Sequence, residues 1–169
     1  MRDVALESLA EFPEKLERFF AAFPHSLLNW RPVSWDGMPS ERLTAIEQLC
    51  HIRDIERDGY HVRVKRVLEE DCPVLPDIPG EQLAIDRQYA TASVEEVLRD
   101  FLSAREETIS VISHLSRDHL KRKAIFEGQP TTLEGLIHFL CSHDHQHLAG
   151  LHWLLGKHEK TGVRVDFPN

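Results

Sequence analysis

Leucine, phenylalanine and valine recur at intervals of three and four along much of this chain, the spacing that lines one face of an α-helix. Four long helical segments follow from this pattern and its punctuation. The first covers residues 4–22, where Leu6, Leu9, Leu16, Phe19, Phe20 and Phe23 recur before Pro24 ends the run. A turn-rich stretch with Trp30-Arg31-Pro32 and Trp35-Asp36-Gly37 follows, and Ser40, after Pro39, reads as the N-cap of a second helix that continues to residue 70. Pro73, Pro76, Pro79 and Gly80 bar a helix from continuing through residues 71–92, a link long enough to cross the length of a bundle. Ser93-Val94-Glu95-Glu96 fits the capping box that opens a third helix, running to residue 115. Thr131-Thr132-Leu133-Glu134 fits another, opening a fourth helix that reaches residue 156. No strand pattern competes. The expected fold is an all-α four-helix bundle, one domain over residues 1–169 with its core in 4–156.

Polar residues interrupt two of the apolar stripes. On the fourth helix the stripe reads Leu136, Leu140, His143, His147, Leu151, Leu154. Residues four apart on a helix have Cβ atoms roughly 5–6 Å from each other, so His143 and His147 can converge on one metal ion. The alternative is a solvated pair, which a chain with eleven histidines produces by chance. His145, two residues from each, faces another way. A helical pair supplies half of a tetrahedral shell, so a third ligand must come from another helix. The second helix offers His51, with Glu47 one turn before it and Asp54 and Asp58 one and two turns after. Its apolar pattern is diffuse, which leaves both an inward and a solvent-facing His51 open. The third helix carries Val94, Leu98, Phe101, Leu102, Ile109 and Ile112, with Arg105 where a hydrophobe is expected. A buried guanidinium needs acceptors, and Asp144 or a substrate anion would serve. Otherwise Arg105 lays its stem on the core and keeps its head in water.

Composition narrows the functional classes. The 169 residues are 41% hydrophobic and 28% charged, with a formal net charge of −8. That balance excludes a nucleic-acid backbone as the expected partner, and Lys121-Arg122-Lys123 is too short a basic patch to reverse it. No uninterrupted apolar run of about 18 residues exists, so no membrane span is expected. The acidic, interrupted first residues lack the apolar core of a signal peptide, and three cysteines without CxxC spacing suit a reducing compartment. A cytoplasmic location is expected. There is no HExxH, no paired ExxH, no GxSxG and no glycine-rich phosphate loop. Cys50 and Cys141 lie near the histidines in sequence and read as small hydrophobes.

Taken together, Trp30-Arg31-Pro32, the run from Glu47 through His51 to Glu56, Gly128-Gln129-Pro130-Thr131-Thr132-Leu133-Glu134 and His143-Asp144-His145-Gln146-His147 resemble the DinB/YfiT-like superfamily of metalloenzymes over residues 4–156. The resemblance implies an up-down-down-up bundle with a long crossover between helices two and three. It also implies a divalent metal, zinc or nickel, on His51, His143 and His147. Implied too is a small-molecule substrate, with low-molecular-weight thiols as a co-substrate class for S-transfer, and a homodimer as the assembly to test. Two other readings stand beside the transferase: a metal-dependent hydrolase and a non-catalytic bundle that binds metal or a small ligand in stress. For catalysis the candidates are Arg105 and Asp144, although Asp144, one residue from His143, points roughly 100° away from it. The chain departs from the family's simplest pattern at Trp35-Asp36-Gly37-Met38-Pro39-Ser40, which lengthens the turn before helix two.

Overall fold

The computed structural model describes residues 2–162. Helix α1 (Arg2–Ala22) matches the first expected segment. The second begins later than expected, because Thr44 rather than Ser40 stands at its N-terminus, its backbone N–H donating to Glu47 Oε2 at 2.8 Å. From there it runs as α2 (Ala45–Asp54), a π-helical stretch (Ile55–Tyr60) and α3 (His61–Glu69). The proline-rich crossover is not wholly irregular: Pro79 precedes a short helix, α4 (Gly80–Asp86). The Ser93 cap forms as expected, its hydroxyl accepting from the Glu96 N–H at 3.3 Å to open α5 (Val94–Ser113).

After α6 (Arg117–Leu120) the structure corrects the strand-free expectation. Strands β1 (Lys123–Phe126) and β2 (Gln129–Thr132) form an antiparallel hairpin in which Phe126 faces Gln129. The two turn residues Glu127 and Gly128 both have positive φ, 51° and 72°, as a tight hairpin turn requires. Leu75 and Pro73 of the crossover bond to Ile125, tying the link to the hairpin. The last helix, α7 (Leu133–Gly162), is capped by Thr132, whose hydroxyl accepts from Gly135 N–H at 3.1 Å; the expected box on Thr131 and Glu134 is therefore displaced by one residue.

Helices α5 and α7 each pack against both α1 and α2, giving a four-helix bundle with α4 and the hairpin as additions. Its interior divides into two apolar clusters. One holds Leu9, Ile55, Val64, Ile112, Leu136 and Leu140. The other holds Phe12, Leu49, Phe101, Leu151 and Leu154. On α7 the residues between the clusters are His143, Asp144 and His147, and on α5 they include Arg105. The buried side of α5 is Val97, Phe101, Ala104, Arg105, Thr108 and Ile112, so the expected Val94, Leu98, Leu102 and Ile109 lie only on its margin. Among the described residues no helix is long and apolar enough to cross a membrane.

Candidate metal centre

The polar layer contains two separate constellations. In the first, α2 and α7 bring His51, His143 and His147 together with Glu41, which lies in the turn before α2; one potential ligand atom from each lies within 4.8 Å of the others. The Nε2 atoms of His51 and His143 are 3.2 Å apart. Two imidazole nitrogens on one tetrahedral ion, each at about 2.0–2.1 Å, would stand about 3.3 Å apart. Glu41 reaches over this group, with Oε1 3.5 Å from His51 Nε2 and Oε2 3.0 Å from His147 Nε2. That second approach is off the hydrogen-bond axis, so His147 Nε2 is buried without a partner, as are the Nδ1 atoms of His51 and His143. One orphaned nitrogen, His147 Nε2, together with the His51 and His143 Nε2 atoms 3.2 Å apart, fits a cation held among the three rings.

Protonation favours ligation. Burial, reinforced by the neighbouring His147, pushes His51 down to about 4. Burial and then the charges of His147 and His51 likewise hold His143 well below the ordinary imidazole value. Burial would raise the Glu41 carboxyl, but His147 and His51 outweigh it and hold the group well below the usual carboxylate range.

His147 is set by a chain of hydrogen bonds. Its Nδ1 donates to Gln48 Oε1 at 3.1 Å, which leaves the Nε2 lone pair facing the cluster. Gln48 is held in turn, donating from Nε2 to the Leu43 carbonyl and accepting from the Ser40 hydroxyl at 3.2 Å. Gly150 leaves room for this chain, since a Cβ there would sit 2.3 Å from Ser40 Oγ and 2.8 Å from Gln48 Oε1. On the other side, a Cβ on Gly80 would lie 2.5 Å from His51 Cε1, so the start of α4 packs directly on that ring. Gly150→Ala is therefore expected to displace Gln48 and lower metal affinity about tenfold while the helical circular dichroism is retained. Zinc titration with a competing chelator measures it; unchanged affinity would remove Gln48 from the site's support.

The second constellation takes Arg105 and Asp144 away from the histidines. Arg105 is 1% exposed and bonds Glu56 through Nε and Nη2, both at 2.9 Å, Asp144 at 2.7 and 3.0 Å, and the Leu9 carbonyl at 3.2 Å. Its head is therefore buried rather than in water. Of its two expected acceptors Asp144 is present, and Glu56 joins it. Asp144, occupied here, is not placed to act as a base at the histidine cluster. Burial pushes its carboxyl up to about 6 against the pull of Arg105. His145 is exposed, as expected, and bonds the Cys141 carbonyl. Cys50 is buried and its thiol is pushed up to about 12 by burial, which suits a small hydrophobe.

Glu41, Gln48 and Gly80 were not legible in the sequence as site residues. Glu41 has no helical spacing to mark it, but it follows directly on the lengthened turn at Trp35–Ser40, where Trp35 also stacks on Trp153 with centroids 6.3 Å apart. That departure from the family pattern was the one available signal.

The pH dependence of the metal-free protein follows from the lowered histidines. His51 moves from about 6.5 unfolded to about 4 folded, so the unfolded chain binds more protons in that window and stability falls as pH drops through it. His51 alone accounts for up to about 3 kcal/mol of this. In metal-loaded protein the same protons compete with the ion, and release is expected to be steep between roughly pH 6.5 and 4.5. Urea titrations of chelated protein from pH 7.5 to 4.5 give the first slope and a metal-indicator dye gives the second; flat profiles would mean that the histidines are neither buried nor ligating.

The comparisons with known proteins agree with this architecture. YfiT from Bacillus subtilis, described as a probable metal-dependent hydrolase with an unusual four-helix bundle topology, superposes with a TM-score of 0.78 at 19% identity, covering 96% of this chain and 89% of that one. No curated protein matches the chain. The DinB superfamily model matches residues 8–151, which takes in most of α1, the crossover, the hairpin and the whole histidine cluster. The chain belongs to the DinB superfamily.

Proposed function

We propose that this protein is a divalent-metal-dependent enzyme acting on a small molecule, with His51, His143 and His147 holding the ion and Glu41 serving as proton acceptor. The observation that carries this reading is the convergence of three imidazoles, with the Nε2 atoms of His51 and His143 3.2 Å apart and that of His147 without a partner, beside a carboxylate. When bound, a divalent ion supplies Lewis acidity and lowers the pKa of a water or thiol that it holds. Neutral nitrogen donors suit zinc or nickel and do not select between them. The chain's own contribution is positional. Gln48 fixes the His147 ring, and Gly80 seats His51. Glu41 Oε2, at 3.0 Å from His147 Nε2 and with its side chain 39% exposed, borders a cavity of about 320 Å³ and can accept a proton from a nucleophile there.

Hydrolysis is the reaction this arrangement supports best, because a carboxylate beside the ligands and open to the cavity can deprotonate water, and because YfiT is described as a probable metal-dependent hydrolase. Thiol-dependent S-transfer uses the same proton acceptor with a low-molecular-weight thiol in place of water, and rests on the superfamily resemblance. A homodimer and a cytoplasmic location belong to the same set of expectations, tested by sedimentation and by cell fractionation.

The deciding experiment assays zinc- and nickel-loaded protein on ester, amide and lactone substrates, and separately on thiol and electrophile pairs. Glu41→Gln is expected to keep its metal and lose at least about 100-fold in turnover. Metal loss by Glu41→Gln would instead make Glu41 a fourth ligand and the centre a closed, structural one. Failure of every substrate with full metal occupancy would favour the non-catalytic binding bundle.

A further inference from the structure

Arg63 on α3 is buried almost as deeply as Arg105, 3% exposed against 1%, yet its neighbours are of a different kind. Arg105 holds two carboxylates. Among the described residues no carboxylate lies within ion-pair distance of Arg63; its hydrogen-bonded neighbours are neutral, and Asp77 and Glu127 act on its charge only from farther off. Its Nε and Nη2 both donate to the Pro76 carbonyl, at 3.3 and 3.0 Å, and the Tyr60 hydroxyl is a further hydrogen-bond neighbour. The guanidinium carbon lies 5.0 Å from the Tyr60 ring centroid and 4.6 Å from that of Phe126. Aromatic faces and a carbonyl support a cation without neutralising it. A buried charge left in that condition is unfavourable unless something completes it.

The same cavity explains what completes it. Its wall takes in Glu41, His51 and His143 as well as Tyr60, Arg63 and Phe126. At about 320 Å³ it lies at the small end of ligand pockets. We propose that Arg63 anchors a carboxylate of the substrate, so that the substrate class is small monocarboxylic acids with an apolar body, held with their reacting group at the histidines. Asp77 and Glu127 also line the cavity, but both are exposed and so are screened by solvent. One guanidinium matches one carboxylate, which limits the ligand to a single negative charge. Tyr60 and Phe126 supply the apolar contact. The location of the reacting group rests on the metal-enzyme reading, whereas the anchor itself does not.

Phenylacetate and its neutral isostere phenylacetamide, titrated calorimetrically into chelated, metal-free protein, test the anchor without any contribution from an ion. The wild-type protein is expected to bind the acid at least about tenfold more tightly than the amide. This preference should vanish in Arg63→Gln and weaken in Arg63→Lys, which keeps the charge and loses the planar fork. Equal binding of acid and amide by the wild type overturns the proposal without requiring any variant to fold, and so does a preference that survives in folded Arg63→Gln. Absence of metal binding by the wild type would sink the metal-enzyme reading alone, since the acid and amide comparison is made on metal-free protein.

Discussion

Replacing His51, His143 or His147 by alanine, one at a time, is expected to lower zinc affinity by about 100-fold or more, with His138→Ala and His145→Ala at the wild-type value. The three act together because they come from two helices that the fold presses against each other: His51 from α2, and His143 and His147 one turn apart on α7. His138 and His145 lie on the same helix but are exposed, and they control for non-specific imidazole binding. Metal content after gel filtration, combined with competition against a chelator, reads the affinities. Full retention by His51→Ala would restrict the site to α7 and dismiss the centre described above. The bundle buries two apolar clusters without help from an ion, so chelation at pH 7.5 is expected to leave its helical circular dichroism intact.

The second large effect is on stability. Arg105→Met is expected to destabilise the fold by about 3–5 kcal/mol, because Glu56 and Asp144 would be left buried without a counter-charge. Methionine keeps much of the packing of the stem against Phe12 and Phe101, whose ring centroids lie 5.5 and 5.0 Å from the guanidinium carbon. The deficit should shrink as pH falls from 8 to 5, since Asp144, which burial already pushes up to about 6, can then take up a proton and enter the core neutral. Adding Glu56→Gln and Asp144→Asn to Arg105→Met should recover much of the loss. Chemical denaturation of the single and triple variants at the two pH values decides it. A loss below about 1 kcal/mol would mean that water reaches the triad and solvates it.

Local signals explain what was legible beforehand. Ser93 caps α5 as its spacing implies, because that cap is made within one turn and needs nothing from elsewhere in the chain. The i, i+4 geometry of His143 and His147 is likewise internal to one helix. Ser40 misled for the opposite reason: its hydroxyl goes to Gln48, in the support of His147, while Thr44 stands at the helix start. The hairpin escaped because its strands are four residues each, its second strand contains Pro130, and its turn is Glu127-Gly128 rather than the usual Asn-Gly or Asp-Gly. Arg105 was visible as an interruption, but only tertiary packing could add Glu56 to Asp144 as its partners. Glu41 and Arg63 reach the same cavity from a turn and from the far half of the second helix, and no periodicity links them.

The π-helical stretch at Ile55–Tyr60 works as a change of phase in a long screw. It inserts about one residue relative to a regular helix, so everything after it is turned by roughly 100° from where an uninterrupted α-helix would put it. His51 precedes the change and Arg63 follows it, and both line one cavity. Deleting a single residue from that stretch would therefore close the bulge to regular α-helix and leave both His51 and Arg63 on the cavity wall. Forcing α geometry on the stretch at its full length would instead turn Arg63 off that wall, which no substitution at Arg63 itself can do.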